Sequence, residues 1–243
     1  MQKDCFGWST DRLPSAARVA RWGHYGRPLL LFPTAGGDFE EVERHGLVAA
    51  LSPLIDGGRI KVYSVDSVAG WHWIDPRHSP EYSSRVQNLF DAFVYQELVP
   101  LIRRDCASTD IEVVTAGASI GAFNAVATLC RHPDAFRVAI GMSGTYDLSR
   151  YVDGHWNDDF YYSSPLHYLP GLGEGGQLDA LRRRMAILAS GSGRWENIGE
   201  SWTMARVLGG KGVPNRVDDW GSAFDHDWPT WCRMLPQYLS ELA

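Results

Sequence analysis

One short stretch of the chain has the residue types and spacing needed for nucleophilic catalysis. It reads Gly117-Ala118-Ser119-Ile120-Gly121, which has the form G-x-S-x-G. A serine hydroxyl is a poor nucleophile unless a base removes its proton and hydrogen-bond donors stabilise the oxyanion that forms. A sharp strand-to-helix turn can present such a hydroxyl, because glycine two residues to either side avoids a collision with neighbouring backbone. A Val-rich run precedes the motif and a helix-like run follows it, so Ser119 is the candidate nucleophile.

Two other serines show how selective this pattern is. Ser143 in GMSGT has Thr145 where the second glycine would stand, and Ser192 in SGSG has Ser190 in place of the first. Only Ser119 has glycine on both sides. A tight turn with an incidental serine is the alternative interpretation.

A base and an acid follow in the order that such an enzyme requires. Triads built on this turn run serine, acid, histidine along the chain, with the last two on loops after late strands. Of eight histidines, only His226, in GSAFDHDWPTW, lies after every late strand-like run. Glu196 follows the run MAILASGSG directly and is the candidate acid, with Glu200 as the first alternative. The other carboxylates that could serve are Asp218, Asp219, Asp225 and Asp227.

Oxyanion donors are expected from two backbone positions. One is the N–H of Ile120, directly after the serine, and the other belongs to the loop FPTAGGDFEE after the first parallel strand. We expect Ala35 or Thr34 to supply it. Neither G-x-G-x-x-G nor G-x-x-x-x-G-K-[ST] occurs, so a phosphate-binding glycine loop is a poor alternative.

The elements that must position these residues alternate between apolar strand-like and amphipathic helix-like runs. This alternation is typical of an α/β protein with a mainly parallel sheet covered by helices on both faces. Two antiparallel edge strands, around CFGWST and ARVARWGHYG, are expected to precede the parallel section. The predicted parallel strands are RPLLLFPT, RIKVYSVD, DIEVVTAG, FRVAIGMSG, MAILASGSG and NRVDDWGS. The predicted helices are GDFEEVERHGLVAALSPLI, SPEYSSRVQNLFDAFVYQELVPLIRRDC, IGAFNAVATLCRHP, SWTMARVLGGKGV and DWPTWCRMLPQYLSEL.

The chain of 243 residues contains neither a linker nor an internal repeat, which favours one domain over residues 1–243. Its least regular part, residues 146–177, is expected to form a pocket wall, since ligands bind beyond the carboxyl ends of such strands. Ten tryptophans is a high count, and Trp71, Trp156 and Trp228 are expected on loops at this end. They are candidates for an aromatic substrate pocket, with structural packing as the alternative.

Composition excludes several other classes. A net charge of −6 and a pI near 5.7 argue against a nucleic-acid partner. Four dispersed cysteines without a C-x-x-C pair predict neither a disulfide framework nor a zinc site, and no metal or organic cofactor is expected. The absence of a signal-peptide-like or membrane-spanning run predicts a cytoplasmic protein without a membrane partner. Oligomeric state leaves no signature.

With these residues in place, the chain resembles the putative esterase family of α/β-hydrolases, which includes esterase D, feruloyl and acetylxylan esterase domains and the mycolyltransferases. The resemblance extends over LLLFPTAGGDFEE, VYSVDS, YQELVPLI, TAGASIGAFNA, IGMSGTYDL and HDWPTW. It implies the α/β-hydrolase fold with about eight strands, Ser119 as nucleophile and His226 as base. Two positions depart from the family pattern: many members have aspartate where Glu196 stands, and the oxyanion loop lacks a His-Gly pair.

The expected activity is that of a serine hydrolase that cleaves a small-molecule carboxylic ester through an acyl-enzyme on Ser119. The sequence leaves open an acyltransferase using the same triad, or a non-catalytic binding module that keeps the fold.

Overall fold

The strand-like runs form a single eight-stranded sheet in the computed structural model, which describes residues 1–242. The strands lie in the order β1-β2-β4-β3-β5-β6-β7-β8. β1 pairs antiparallel with β2 and β2 antiparallel with β4, whereas the remaining pairs are parallel. Their bounds are β1 Lys3–Trp8, β2 Ala17–Trp22, β3 Arg27–Phe32, β4 Ile60–Val65, β5 Val113–Ala118, β6 Phe136–Met142, β7 Met185–Ser190 and β8 Asn215–Asp219. The predicted edge strands and mainly parallel sheet are therefore confirmed.

The central strands are buried on both faces, which explains why their sequences are continuously apolar. Along β3, Leu30 and Phe32 pack into one core cluster, while Leu29 and Leu31 pack into the cluster on the opposite face. This alternation follows from the two-residue period of side chains along a strand.

Twelve α-helices lie within the described residues and cover these two faces. No helix between residues 1 and 242 is both long enough and apolar enough to cross a membrane. The helices are α1 Glu41–Arg44, α2 Leu47–Ala50, α3 Ser52–Asp56, α4 Val68–Ile74, α5 Pro80–Phe93, α6 Val99–Asp105, α7 Ile120–Arg131, α8 Asp158–Ser163, α9 Pro165–Tyr168, α10 Gly176–Leu181, α11 Ile198–Gly210 and α12 Trp228–Leu242.

Two predicted helices are interrupted. The run from residue 37 to 55 forms three short helices, because Gly46 adopts a left-handed φ of 85° and a new turn begins after Leu51. The long helix between residues 79 and 106 changes to a π-turn over Val94–Leu98. Pro100, two residues beyond the π-turn, has no N–H to donate to the preceding turn, which favours such a local rearrangement.

Some helices lie where none was predicted. α8 and α9 fall within residues 146–177, which were expected to be the least regular part of the chain. The helix α4 was not predicted either. The segment that carries Trp71 and Trp73 was expected to be loop, but it forms α4 directly after β4. Because α4 begins near the carboxyl end of β4, it lies at the edge of the sheet where Ser119 also stands.

Candidate active site

The Ser119 turn joins β5 to α7 through a strained backbone. Ser119 has φ 57° and ψ −123°, a conformation that costs a non-glycine residue about 1–3 kcal/mol. Both of its backbone groups are held: its N–H donates to the carbonyl of Met142 at 3.0 Å, and its carbonyl accepts from the N–H of Thr145 at 3.1 Å. The serine itself is only half-buried, although the residues on either side of it are buried.

The two glycines of the motif are required by close backbone approaches. A Cβ on Gly117 would lie 2.3 Å from the carbonyl carbon and oxygen of Gly121. A Cβ on Gly121 would lie 2.3 Å from the carbonyl oxygen of Phe32, at the end of β3, and 2.6 Å from that of Pro33. Gly121 therefore allows the first turn of α7 to sit directly against the loop that begins at Pro33.

Glu196 occupies a buried cradle after β7. Its side chain is only 1% exposed. The hydroxyl of Ser143 donates to Oε1 at 2.5 Å, the hydroxyl of Ser190 donates to Oε2 at 3.1 Å, and the N–H of Gly191 reaches Oε1 at 3.3 Å. Burial alone would raise the pKa of this carboxyl, but the neighbouring His226 and the hydrogen bonds from Ser143 and Ser190 outweigh it and hold the pKa below its usual value.

His226 faces the same carboxylate. Its Nδ1 lies 3.5 Å from Oε2 of Glu196, and its imidazole is 23% exposed. The backbone N–H of His226 donates to the carbonyl of Arg194 at 3.0 Å, which ties the loop after β8 to the loop after β7. A Cβ on Gly191 would meet the carbonyl oxygen of Phe224 at 2.0 Å, so glycine is needed where these loops cross.

The other carboxylates that the sequence left open are engaged elsewhere. Glu200 accepts the backbone N–H groups of Tyr146 and Asp147, at 2.5 and 3.0 Å. The four aspartates bind neighbours other than the imidazole: Asp218 pairs with Arg216, Asp219 accepts the N–H of Gly221, Asp225 pairs with Arg194, and Asp227 accepts the N–H of Thr230 at the start of α12. Glu196 is thus the carboxylate that the fold brings to His226.

Ser119, Glu196 and His226 follow β5, β7 and β8 in a sheet whose order is β5-β6-β7-β8. All three therefore stand beyond the carboxyl ends of parallel strands, where open α/β sheets bind ligands. Among the described residues the Ser119 hydroxyl has no hydrogen bond to His226. Catalytic hydrogen bonds are often formed only when substrate is bound.

Ala35 or Thr34 was predicted to supply the second oxyanion donor, and the prediction is wrong for Thr34. The N–H and the hydroxyl of Thr34 both donate to the carboxylate of Glu41, at 2.8 and 2.7 Å, so Thr34 cannot donate to substrate. A Cβ on Gly37 would lie 2.2 Å from Oε2 of Glu41, which explains the glycine at this point. Within residues 1–242, the N–H groups of Ala35 and Ile120 have no acceptor. Ile120 belongs to a small apolar cluster against which Ala35 packs, so the two residues are neighbours in the fold.

The tryptophans proposed for the pocket have different surroundings. Trp71 is partly buried against the main core, and Trp228 stacks on His45 with 4.6 Å between ring centroids. Trp156, in the irregular segment, is 56% exposed and touches Phe160 edge-on. A pocket role for the three remains a prediction.

Trp73, which accompanies Trp71 in the run VAGWHWID, is 5% exposed and packs in the same cluster as Ile120 and Ala35. Three other residues were missed by sequence reasoning. Glu41 holds the oxyanion loop, and Ser143 and Trp231 lie next to Glu196 and His226. The only available signal was their position close to strand ends, because none of the three completes a motif.

Comparisons with known proteins identify the family of the chain. A family model described as Putative esterase matches residues 56–242. No curated protein sequence matches the chain.

Solved structures share the fold at low sequence identity. A ferulic acid esterase has a TM-score of 0.74 and 16% identity, covering 99% of this chain and 97% of that one. An S-formylglutathione hydrolase from Agrobacterium tumefaciens has a TM-score of 0.74 and 13% identity, covering 98% and 93%. MPT51 of Mycobacterium tuberculosis has a TM-score of 0.74 and 16% identity, covering 100% and 98%. The α/β-hydrolase fold is confirmed, and the chain belongs to the family described as Putative esterase and is a carboxylic ester hydrolase.

Proposed function

We propose that the chain hydrolyses a small-molecule carboxylic ester through an acyl-enzyme on Ser119, with His226 as general base and Glu196 as its acid partner. The observation that carries this proposal is the buried Glu196 carboxylate facing Nδ1 of His226 at the sheet edge where Ser119 is held in a strained turn.

In the acylation step, Oγ of Ser119 attacks the ester carbonyl carbon while Nε2 of His226 accepts the hydroxyl proton. Glu196, on the opposite nitrogen, fixes the tautomer and stabilises the imidazolium. The N–H groups of Ala35 and Ile120 donate to the carbonyl oxygen as it becomes an oxyanion. Collapse of the tetrahedral intermediate expels the alcohol, which takes its proton from His226.

In the second step, water attacks the acyl carbon of the Ser119 ester and gives its proton to His226. The acid leaves, and the serine regains its proton. An alcohol in place of water would give acyl transfer through the same intermediate, so the acceptor decides between hydrolysis and transfer.

Mass spectrometry of the intact protein after exposure to a fluorophosphonate and to a panel of acyl esters tests the proposal. We expect a single adduct on the wild type, none on Ser119→Ala, and an unchanged adduct on Ser192→Ala. Ser192 is the matched control because it lies in a similar Gly/Ser run but is exposed and outside the site. An adduct that persists in Ser119→Ala would overturn the assignment of the nucleophile. Product analysis with water and alcohol acceptors then separates hydrolysis from transfer.

A further inference from the structure

Ser143 links Glu196 to a tryptophan on the last helix. It follows β6, the strand between those that lead to Ser119 and to Glu196. Its hydroxyl donates to Oε1 of Glu196 at 2.5 Å and accepts from the indole N–H of Trp231 at 2.9 Å. Both Ser143 and Trp231 are 3% exposed, so water does not compete for these contacts.

The direction of this chain of hydrogen bonds is fixed by chemistry. An indole N–H can only donate, and a serine hydroxyl has one proton and two lone pairs. Because Trp231 occupies a lone pair of the Ser143 oxygen, the proton of that hydroxyl is left to point at Glu196. An ionised carboxylate accepts such a bond more strongly than a neutral group.

The backbone holds Ser143 in this position. Its φ of 48° is unusual for a residue other than glycine, and its N–H donates to the carbonyl of Ala189, near the end of β7, at 2.8 Å. The hydroxyl is therefore anchored to the strand that leads to Glu196. The ring of Trp231 also meets the imidazole of His226 edge-on, with 5.2 Å between centroids. One indole thus touches the base through its ring, and its N–H is linked to the acid through the Ser143 hydroxyl.

We propose that Ser143 and Trp231 are positioning residues that hold Oε1 of Glu196, so that Oε2 faces Nδ1 of His226. The inference rests on the proposed function, because it assigns a role only if Glu196 assists the histidine. Neither residue touches the substrate: Ser143 acts through Glu196, and Trp231 acts through the Ser143 hydroxyl.

Steady-state kinetics and melting temperatures of Ser143→Ala, Trp231→Phe and the double variant test this proposal. We expect Ser143→Ala to lower kcat about 10-fold or more, by analogy with the loss seen when a residue that orients a metal ligand is removed, with KM within about 2-fold of wild type. Trp231→Phe keeps the ring and removes only the donor, so its loss of kcat should be smaller. Because Trp231 acts through the hydroxyl, the double variant should have the kcat of Ser143→Ala.

The melting temperature should follow a different order, which separates positioning from structural support. Ser143→Ala leaves the buried N–H of Trp231 without an acceptor, whereas the double variant removes both partners. The melting temperature should therefore fall in Ser143→Ala and partly recover in the double variant, while kcat does not recover. If kcat instead recovers together with the melting temperature, the role is structural and the proposal is overturned.

Ser64→Ala is the matched control. Ser64 is a fully buried serine in β4 whose hydroxyl has no partner among the described residues. Its variant should keep the wild-type kcat.

The outcomes also separate this proposal from the function on which it rests. A wild type without Ser119-dependent turnover contradicts the proposed function, whereas an active wild type with an equally active Ser143→Ala contradicts only the positioning role. If Ser143→Ala does not fold, the double variant takes its place, and wild-type kcat in that variant contradicts the proposal.

Discussion

Nδ1 of His226 lies 3.5 Å from Oε2 of Glu196, a carboxylate that is almost completely buried. The loops that carry the two residues are joined by a backbone hydrogen bond from His226 to Arg194. The distance is therefore a consequence of how the loops after β7 and β8 pack, and two predictions depend on it.

Replacing Glu196 by Gln should lower kcat by about three to four orders of magnitude, the size of effect seen when the acid of a triad loses its charge. The amide keeps the volume of the side chain but cannot stabilise the imidazolium. Asp218→Asn is the control, because Asp218 is one of the other carboxylates that the sequence offered as the acid, but it lies in β8 and pairs with Arg216. Steady-state hydrolysis of an activated ester measures both variants. An equally large loss in Asp218→Asn would mean that the acid has been misassigned.

Stability should depend on the ionisation of Glu196. Burial would raise the pKa of this group, but the neighbouring His226 and the hydrogen bonds from Ser143 and Ser190 lower it beneath the usual 4.5. The unfolded chain therefore binds the proton at a higher pH than the native protein does. The contribution of the carboxylate to the free energy of unfolding is fully present above about pH 4.5 and is lost as pH falls through the lowered pKa. Urea unfolding of wild type and Glu196→Gln should show a stability difference that is largest near neutral pH and shrinks in acid. A difference that grows on acidification would contradict the direction of the shift.

The fold was predictable where the signal is local and repeated. The parallel strands are continuous apolar runs, and RPLLLFPT or MAILASGSG can be recognised because both faces of the sheet are covered. The break at Gly46 was also visible as a glycine, but the surrounding amphipathic pattern masked it. The helix α4 was missed because Trp71 and Trp73 stand two residues apart, whereas the apolar residues of a surface helix recur every three or four residues.

The site was predictable where residue spacing and order along the chain determine it, as for the Ser119 motif and for the order of Glu196 and His226. Gly117, Ser119 and Gly121 lie within five consecutive residues, so the local turn that they form could be predicted from the sequence. The contact of Thr34 with Glu41 depends on how the oxyanion loop folds back on α1, and nothing in the sequence separates Glu41 from its neighbours Glu40 and Glu43. Ser143 was set aside as an imperfect nucleophile motif, whereas in three dimensions its hydroxyl serves the acid.

Replacing Gly121 by Ala should damage both folding and catalysis. The added Cβ would lie 2.3 Å from the carbonyl oxygen of Phe32, which is backbone and cannot rotate away. The start of α7 would have to move away from the oxyanion loop, so we expect the free energy of unfolding to fall by about 1–3 kcal/mol and kcat to fall as well.

Gly210→Ala is the matched control, because nothing lies within 4 Å of a Cβ at that helix position. Alanine is the better helix former there, so the control should be stabilised by up to about 1 kcal/mol. Thermal unfolding and ester hydrolysis measure the pair, and an active, stable Gly121→Ala would show that the close approach is not required.

Removing the Glu41 carboxylate should lower catalysis without a comparable change in substrate binding. Glu41 accepts both the N–H and the hydroxyl of Thr34, and it thereby helps to hold the loop in which Ala35 lies. In Glu41→Ala the Ala35 amide should lose its orientation toward the oxyanion. Complete loss of one oxyanion donor lowers kcat about 10²–10³-fold. A donor that is only displaced should lower kcat less than this, by about 10-fold or more.

Glu40→Ala is the control, because Glu40 precedes Glu41 directly but pairs with Lys3 at the surface, a contact worth about 0–1 kcal/mol. Steady-state kinetics and the rate of fluorophosphonate labelling should fall together in Glu41→Ala and stay near wild type in Glu40→Ala. Because labelling also develops negative charge on an oxygen at the site, a kcat that falls while labelling is unaffected would place the effect of Glu41 outside the oxyanion loop.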